Sequence, residues 1–237
     1  MDIGDRMKGY EKAYNIVMPV RLPVIIRLDG KAFHTLTRGC NKPFDDNVIN
    51  AMNEASKAIL KGVQGVKFIY TQSDEINVLV RNDMSLEYSA WFNNEIQKIV
   101  SITAAIASVA FSKAYGKDAV FDSRAFIIPE SEVTNYFIWR QNDWTRNSVQ
   151  MVARSLYGPA ELHKKKNQEL QEMIFLKGQN WNDLPTYLKR GRGFFWKTIL
   201  IGENIYRSRM EQDDELPIFT EDKSYVQDKT GYFRVDG

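Results

Sequence analysis

Apolar positions along this chain switch between two spacings, and the switches mark out its elements. Residues 22–29 read LPVIIRLD, a short apolar run rich in β-branched side chains that predicts a buried strand. Val48, Ile49, Met52, Ala55, Ile59 and Leu60 then recur at helical spacing behind Asp45 or Asp46, either a suitable N-cap, and Gly62 and Gly65 close that helix. Residues 66–70 and 75–80 read as two strands of a hairpin joined through Thr71-Gln72-Ser73-Asp74. A second long helix carries Ile96, Ile99, Val100, Ala104, Ala107 and Phe111 on its apolar stripe, and residues 120–128 form another strand, ended by Pro129.

The resulting β-α-β-β-α-β order is that of the split βαβ, ferredoxin-like arrangement in the α+β class. A right-handed crossover makes the first two strands parallel, with the third lodged antiparallel between them. The end of strand one then shares a sheet edge with the turn joining strands two and three. Asp29 ends the first strand and Asp74 sits in that turn, so two carboxylates far apart in sequence are expected to be neighbours. Beyond residue 130 the pattern turns helical. Val133, Phe137, Arg140, Trp144 and Met151 mark a helix over 130–156, ending near Gly158-Pro159. A second helix is expected over 162–176, a polar loop over 181–193, and short strands and coil after that. Two units are expected: a catalytic domain over 1–130, and a mainly helical region over 131–237 packed on it.

Composition narrows the options. With 237 residues, 43% hydrophobic and 26% charged, and a net charge of +2, the chain can bury a core without staples and is not globally disordered. The longest nearly apolar run, 99–111, falls short of the roughly 20 residues of a bilayer span, so a buried helix and no membrane anchor are expected. The first residues, MDIGDRMKGYEK, lack the apolar stretch of a secretory signal. Cys40 is the one cysteine, which excludes an internal disulfide and points to a reducing compartment, here the cytoplasm. With only His34 and His163 beside it, a Cys/His zinc site is out of reach, and any metal must be held by carboxylates. Charge is unevenly spread: residues 163–192 hold seven Lys/Arg against three Asp/Glu, which makes this block either a phosphate-binding surface or a solvated helix face.

Four constellations carry candidate chemistry. Asp29 and Asp74, with Glu75 alongside, form the catalytic and metal-binding candidate. Converging carboxylates repel unless a cation lies between them, and hard oxygen ligands suit Mg²⁺, whose remaining sites go to water and substrate phosphates. Two such ions can serve in-line phosphoryl transfer, whereas the plain alternative is a pair of polar strand-end caps. Asp29-Gly30-Lys31-Ala32-Phe33-His34 follows; Gly30 permits close approach and can offer its carbonyl as a metal ligand, successive amides can cradle phosphate, and Lys31, Arg38 and Lys42 add positive charge. Asn93, Asn94 and Lys98 mark a helix start that could meet a triphosphate or could be an ordinary amide cap. Arg140, with Trp139, Arg146 and Asn147, could fork onto RNA phosphate or pack a core. His34 lacks a matching nucleophile and acid, so no hydrolase triad is expected, and Cys40 reads as incidental.

Together these motifs resemble the tRNA-histidine guanylyltransferase family and its 3′-to-5′ polymerase relatives, the guanylyltransferase-like proteins. The matching pieces are Asp5-Arg6-Met7-Lys8 through Tyr10-Glu11, IIRLDGKAFHTLTRG, Lys42-Pro43, TQSDEIN, FDSRAF, YFIWRQND and ELHKKKNQELQEMIFLKGQNWNDLP…KRG. The resemblance spans residues 5 to about 193. It implies a polymerase-type palm, a carboxylate pair at Asp29 and Asp74 that binds two Mg²⁺ with the Gly30 carbonyl, and nucleotide contacts from residues 29–34, Ser73 and Asp74. It also implies that Lys42, Asn94 and Lys98 meet triphosphate, that ATP or GTP activates a tRNA 5′ end for attack by a nucleotide 3′-hydroxyl, and that the protein is a homotetramer built as a dimer of dimers. Three departures stand out. The eukaryotic His-Ile-Asn-Asn-Leu-Tyr-Asn-Thr motif is Thr145-Arg146-Asn147-Ser148-Val149-Gln150-Met151-Val152, Tyr70 and Thr71 replace residues near the Gln-Ser-Asp-Glu motif, and Ser123 replaces a glycine. Only Asn147 of the eight-residue motif is retained, which shifts the expectation from non-templated addition on histidine tRNA to templated 5′-end repair.

The leading expectation is therefore a Mg²⁺-dependent nucleotidyltransferase that adds nucleotides to the 5′ end of tRNA, with GTP and ATP as substrates. The rivals are non-templated histidine-tRNA guanylyltransferase, a palm enzyme acting on free nucleotides such as a cyclase, and a non-catalytic RNA-binding module. Lys164, Lys165 and Lys166, with Arg140, Arg146 and Asn147, are the expected RNA contacts; a free-nucleotide enzyme would need no such block.

Overall fold

A computed structural model describes residues 1–84, 86–202 and 205–230. The chain runs α1 (Ile3–Ala13), β1 (Val24–Gly30), α2 (Phe33–Leu36), α3 (Asp46–Gly62), β2 (Val66–Gln72), β3 (Glu75–Val80), α4 (Ile96–Tyr115), β4 (Phe121–Ile127) and α5 (Glu130–Leu156). It continues through α6 (Pro159–Leu162), α7 (Asn167–Leu176), α8 (Thr186–Arg190), β5 (Arg192–Gly202), β6 (Ile205–Asp213) and α9 (Lys223–Thr230). The β-α-β-β-α-β order read from the pattern is the one observed. β3 lies antiparallel between β1 and β2, and the sheet runs β4-β1-β3-β2-β5-β6.

Two layers of helix cover this sheet because its central strands are apolar on both faces. Ile26, Leu28 and Val78 meet the layer containing Met52, Ile59 and Ala107, whereas Ile25, Phe68 and Leu79 meet Val133 and Phe137 of α5. Each such side chain contributes about 1.5–3 kcal/mol by leaving water. The bounds of α3 follow its N-cap: the Asp45 carboxylate accepts from the amides of Asn47 and Val48. α4 is long and apolar enough to cross a bilayer by length and composition. One stripe of it, Ile99, Thr103, Ala107 and Phe111, is buried against the palm, while Ile102 and Val109 are exposed.

The region after 130, expected to end in short strands and coil, differs in one respect that matters: its strands are long and join the palm's sheet. Its stretch Arg192-Gly193-Phe194-Phe195-Trp196-Lys197-Thr198-Ile199-Leu200 forms β5, which pairs with β2 and then with β6. This region thus contributes two strands to the palm's own sheet, driven by a dense aromatic and β-branched run. The expected loop over 181–193 contains α8, the helix expected over 162–176 begins later, at Asn167, as α7 with the short α6 before it, and α1 was not signalled by the apolar pattern. Residues 231–237 lie outside the described residues.

Candidate active site

β1 ends in the site. Its last residue, Gly30, donates its amide to the Asp74 carbonyl at 3.0 Å, which joins the end of β1 to the β2–β3 turn. That turn is the two-residue Ser73-Asp74 connection between paired Gln72 and Glu75, with Ser73 in the left-handed region at φ 48°. Asp29 and Asp74 are thereby neighbours, as the topology required. Burial raises the pKa of Asp29, and the charges of Asp74 and Glu75 raise it further against the pull of Arg27. Burial likewise raises Asp74, opposed by its hydrogen bond with Ser73. Gly30 cannot be larger: a Cβ there would meet the Phe33 ring at 2.3 Å. Phe33 itself is core, with its ring 5.0 Å from Phe111 and 5.2 Å from Phe121, which holds the Lys31-Ala32 turn against the sheet. Lys31 donates its amide to Val120, and Ala32 adopts a left-handed φ of 56°.

Glu75 lies directly across from Asp29 in the β1–β3 register, but its role is different from theirs. It is 4% exposed, and its carboxylate accepts from Arg140 Nε at 2.7 Å and Nη2 at 2.9 Å and pairs with Arg27 at 2.6 Å. Asn77 and Gln72 add further hydrogen bonds. A carboxylate so engaged has little left for a metal. Two arginines thus neutralise Glu75, whereas Asp29 has only Arg27, at 3.7 Å. Asp122, opposite Asp29 in β4, adds a further negative charge that the sequence pattern did not single out.

The same network corrects the expectation for Arg140 as an RNA contact. Arg140 is 4% exposed and stacked 4.4 Å from the Trp139 ring, so it is a buried clamp on Glu75 and Asp143. Arg146 is exposed but paired with Asp143, and Asn147 reaches the same carboxylate. Asn94 and Lys98 do not join the site either. Asn94 is buried, donating to the Pro19 carbonyl and accepting from Asn82, just past the Val24–Val80 end of the strands. Lys98 pairs with Glu95 one turn away at that same far end. A helix start looked like a triphosphate site in sequence because its partners across the sheet were invisible. Lys164, Lys165 and Lys166 are exposed, beyond the C-terminal end of α5, with Lys165 paired to Glu169.

Beside Asp74 opens a cleft of about 300 Å³. Of the residues expected as nucleotide contacts, Phe33, His34, Lys42, Ser73 and Asp74 line it, together with apolar Pro43, Phe44, Val48 and Met151. Among the wall residues that the sequence did not signal for this role are Trp144 and Arg192. Arg192 enters because β5 pairs with β2 in the register Thr71–Arg192. The donors present at the carboxylate edge fit Mg²⁺: two carboxylates short of counter-charge and one backbone carbonyl, with room for waters and phosphate oxygens. Among the described residues no three acidic, His or Cys side chains converge, so this is no closed all-protein cage, in keeping with how Mg²⁺ is usually held.

The family model described as tRNAHis guanylyltransferase matches residues 4–129. The chain is 42% identical to a bacterial tRNA(His) guanylyltransferase-like protein solved in complex with ATP, with a TM-score of 0.89 over 97% of this chain and 99% of that one. A structure of such a bacterial protein in complex with GTP aligns with a TM-score of 0.86 and 41% identity, over 98% and 99% of the two chains. Among curated proteins, a probable tRNA(His) guanylyltransferase of Drosophila melanogaster is 26% identical over 83% of this chain and 74% of its own.

Proposed function

The chain belongs to the tRNAHis guanylyltransferase family, a family of nucleotidyltransferases, and from that premise we propose that it extends the 5′ end of tRNA in the 3′-to-5′ direction, directed by template pairing, as a repair activity. The observation that carries this reading is the neighbouring pair Asp29 and Asp74, short of counter-charge, with Asp74 in the wall of a base-sized cleft. In this proposal Asp29, Asp74 and the Gly30 carbonyl hold two Mg²⁺ ions, which supply charge stabilisation to the transferring phosphoryl group and to the attacking and leaving oxygens. The chain's own residues do the positioning. Gly30 and Asp74, joined backbone to backbone, keep the two carboxylates in one rigid frame. Phe33, fixed in the core, sets the turn that offers Lys31, Ala32 and His34 to the nucleotide. Lys42 and Ser73 line the cleft next to Asp74, where phosphate oxygens need donors. Glu75 acts through Arg27 and Arg140 as a positioning residue behind Asp29.

The templated reading is supported by what residues 145–152 are doing. Thr145 donates to the Lys189 carbonyl, Ser148 accepts from Trp181 Nε1, and Val149 and Val152 pack with Leu170 and Ile174. Side chains engaged in joining α5 to α7 and α8 are poorly placed to grip an incoming nucleotide that lacks a pairing partner. Lys164 to Lys166 would bind RNA phosphates. Exposed Leu200, Ile201, Ile205 and Tyr206 on the β5–β6 hairpin favour assembly with further copies, in keeping with a tetramer. The setting would be the cytoplasm, where tRNA is at hand.

The test is incubation with labelled tRNA lacking its first 5′ nucleotide, nucleoside triphosphates and Mg²⁺, with product length read on a gel. One-nucleotide extension that follows the template base, and that is faster than extension of full-length histidine tRNA, is expected. Preference for full-length histidine tRNA would restore the non-templated role, and no product with either RNA would remove the polymerase reading.

A further inference from the structure

Two buried donors in the cleft wall have no protein partner. Arg192 is 3% exposed; its Nε donates to Asn53 Oδ1 at 2.6 Å, and its Nη2 has no acceptor. Trp144, also 3% exposed, holds its indole Nε1–H with no acceptor. Buried donors are nearly always satisfied, and leaving one unpaired costs of the order of 1–3 kcal/mol, more for a charged group. The wider surroundings do not balance the guanidinium either. Burial pulls Arg192 down to about 10, with Asp214 opposing at longer range and no ion pair formed. By contrast Trp181, the neighbouring indole, donates to Ser148. Of the buried side-chain donors without a partner among the described residues, the third, Arg27 Nε, lies outside this cleft on a guanidinium already paired with Glu75; the other two belong to residues that line the cleft.

We propose that Arg192 and Trp144 are specificity-determining residues that read an acceptor edge of the purine in this cleft, the O6 and N7 of guanine, in preference to adenine. This rests on the nucleotide-binding reading above. The layout of the cleft favours base over phosphate: Arg192 is set back from the Ser73-Asp74 turn by its pairing with Thr71, and the same cleft is lined by Phe33, Phe44 and Pro43, flat apolar surfaces against which a base can lie. Phosphates are wanted at the turn itself, beside Ser73 and Asp74, and at Lys42. Guanine presents two acceptors on its Hoogsteen edge, whereas adenine puts an amino donor beside N7, where two more donors would face it. A carbonyl pressing into this wall completes both unpartnered groups; an amino group leaves them unpartnered.

Calorimetric titration of the full chain with GTP, ITP, ATP and inorganic triphosphate in Mg²⁺ buffer tests this. ITP keeps O6 and N7 but lacks the guanine amino group, so GTP and ITP should both bind about tenfold more tightly than ATP. Arg192→Met should erase that ratio while leaving ATP and triphosphate affinity unchanged, and Trp144→Phe should reduce it in part. The thermal midpoint without nucleotide reports whether each variant folds; if Arg192→Met does not, Trp144→Phe, which keeps an aromatic ring but removes the indole N–H with part of the ring system, carries the test. A loss shared equally by all four ligands would mean a phosphate contact and overturn the proposal, as would an unchanged ratio in the variants. Wild type that binds nucleotides with no O6 preference defeats this inference alone, whereas wild type that binds none of them defeats the nucleotide-site reading beneath it.

Discussion

The two ends of the central sheet contain similar side chains in opposite states. At the Val24–Val80 end, Arg81 is 7% exposed and fully engaged: Asp83 takes two hydrogen bonds at 2.9 and 2.6 Å, Glu130 two more at 3.0 and 2.7 Å, and the Thr230 carbonyl a fifth at 3.1 Å. Asn82 and Asn94 close a second satisfied chain there. At the Gly30–Asp74 end, Glu75 is equally well served, yet Asp29 and Asp74 keep excess negative charge while Arg192 and Trp144 keep spare donors. One end uses its polar groups to tie α5 and α9 to the sheet. The other leaves them short, which is the electrostatic condition of a site that completes itself with ligand.

The largest expected effect separates the two ends by activity. Asp74→Asn should lower nucleotide addition about 10³-fold or more, while the thermal midpoint stays level or rises, because a repelling charge is removed from a hydrogen-bonded turn. Single-turnover assays and a thermal melt on the same sample check both halves; a fall in the midpoint together with near-normal addition would reverse the assignment of the two ends. Next, Arg81→Ala should destabilise the fold by about 3–5 kcal/mol, since it strands Asp83 and Glu130, while addition per folded molecule is unchanged. Urea titration gives the first number and active-fraction kinetics the second.

A smaller effect concerns pH. The Arg81 hydrogen bonds hold Asp83 below the usual carboxylate range. A depressed folded-state pKa gives stability that is present above the unfolded value, near 3.8, and lost as pH falls through the folded one. Asp83→Asn should therefore be less stable than wild type at neutral pH, with the difference closing below about pH 4; melts from pH 7 to 3 follow it. Smallest is the RNA surface. Replacing Lys164, Lys165 and Lys166 with Ala should flatten the log–log salt dependence of tRNA binding by roughly 0.7–0.9 for each phosphate left unneutralised, while nucleotide affinity stays as it was. An unchanged slope would make this block an ordinary solvated surface.

What could be read without coordinates was whatever depends on local period and handed connection. The bounds of α3 follow from Asp45 and Gly62, the adjacency of Asp29 and Asp74 from the crossover rule, and α5 from its apolar steps. What was hidden depends on a partner distant in sequence. Glu75 looked like a third catalytic carboxylate until Arg27 and Arg140 closed on it, and Arg140 looked free for RNA until Glu75 took it. Asn94 and Lys98 read as a phosphate-binding helix start, but only the path of α4 decides at which end of the sheet that start lies. The run Phe194-Phe195-Trp196 carried a strand signal that could have revealed β5, and with it the position of Arg192.

The pairing of β5 with β2 also fixes an order of events during synthesis. The carboxylate edge is complete once β3 has left the ribosome, because Asp29, Gly30 and Asp74 lie on β1 and the hairpin beside it. The rear wall of the cleft waits for Arg192, whose bond to Asn53 spans 139 residues. Contacts of such separation form late, since the intervening chain must be ordered before they are rewarded. A ribosome-bound chain that stops short of β5 would therefore carry the acidic edge without the donor wall, and it would gain its grip on a purine only as about the last fifth of the protein emerged.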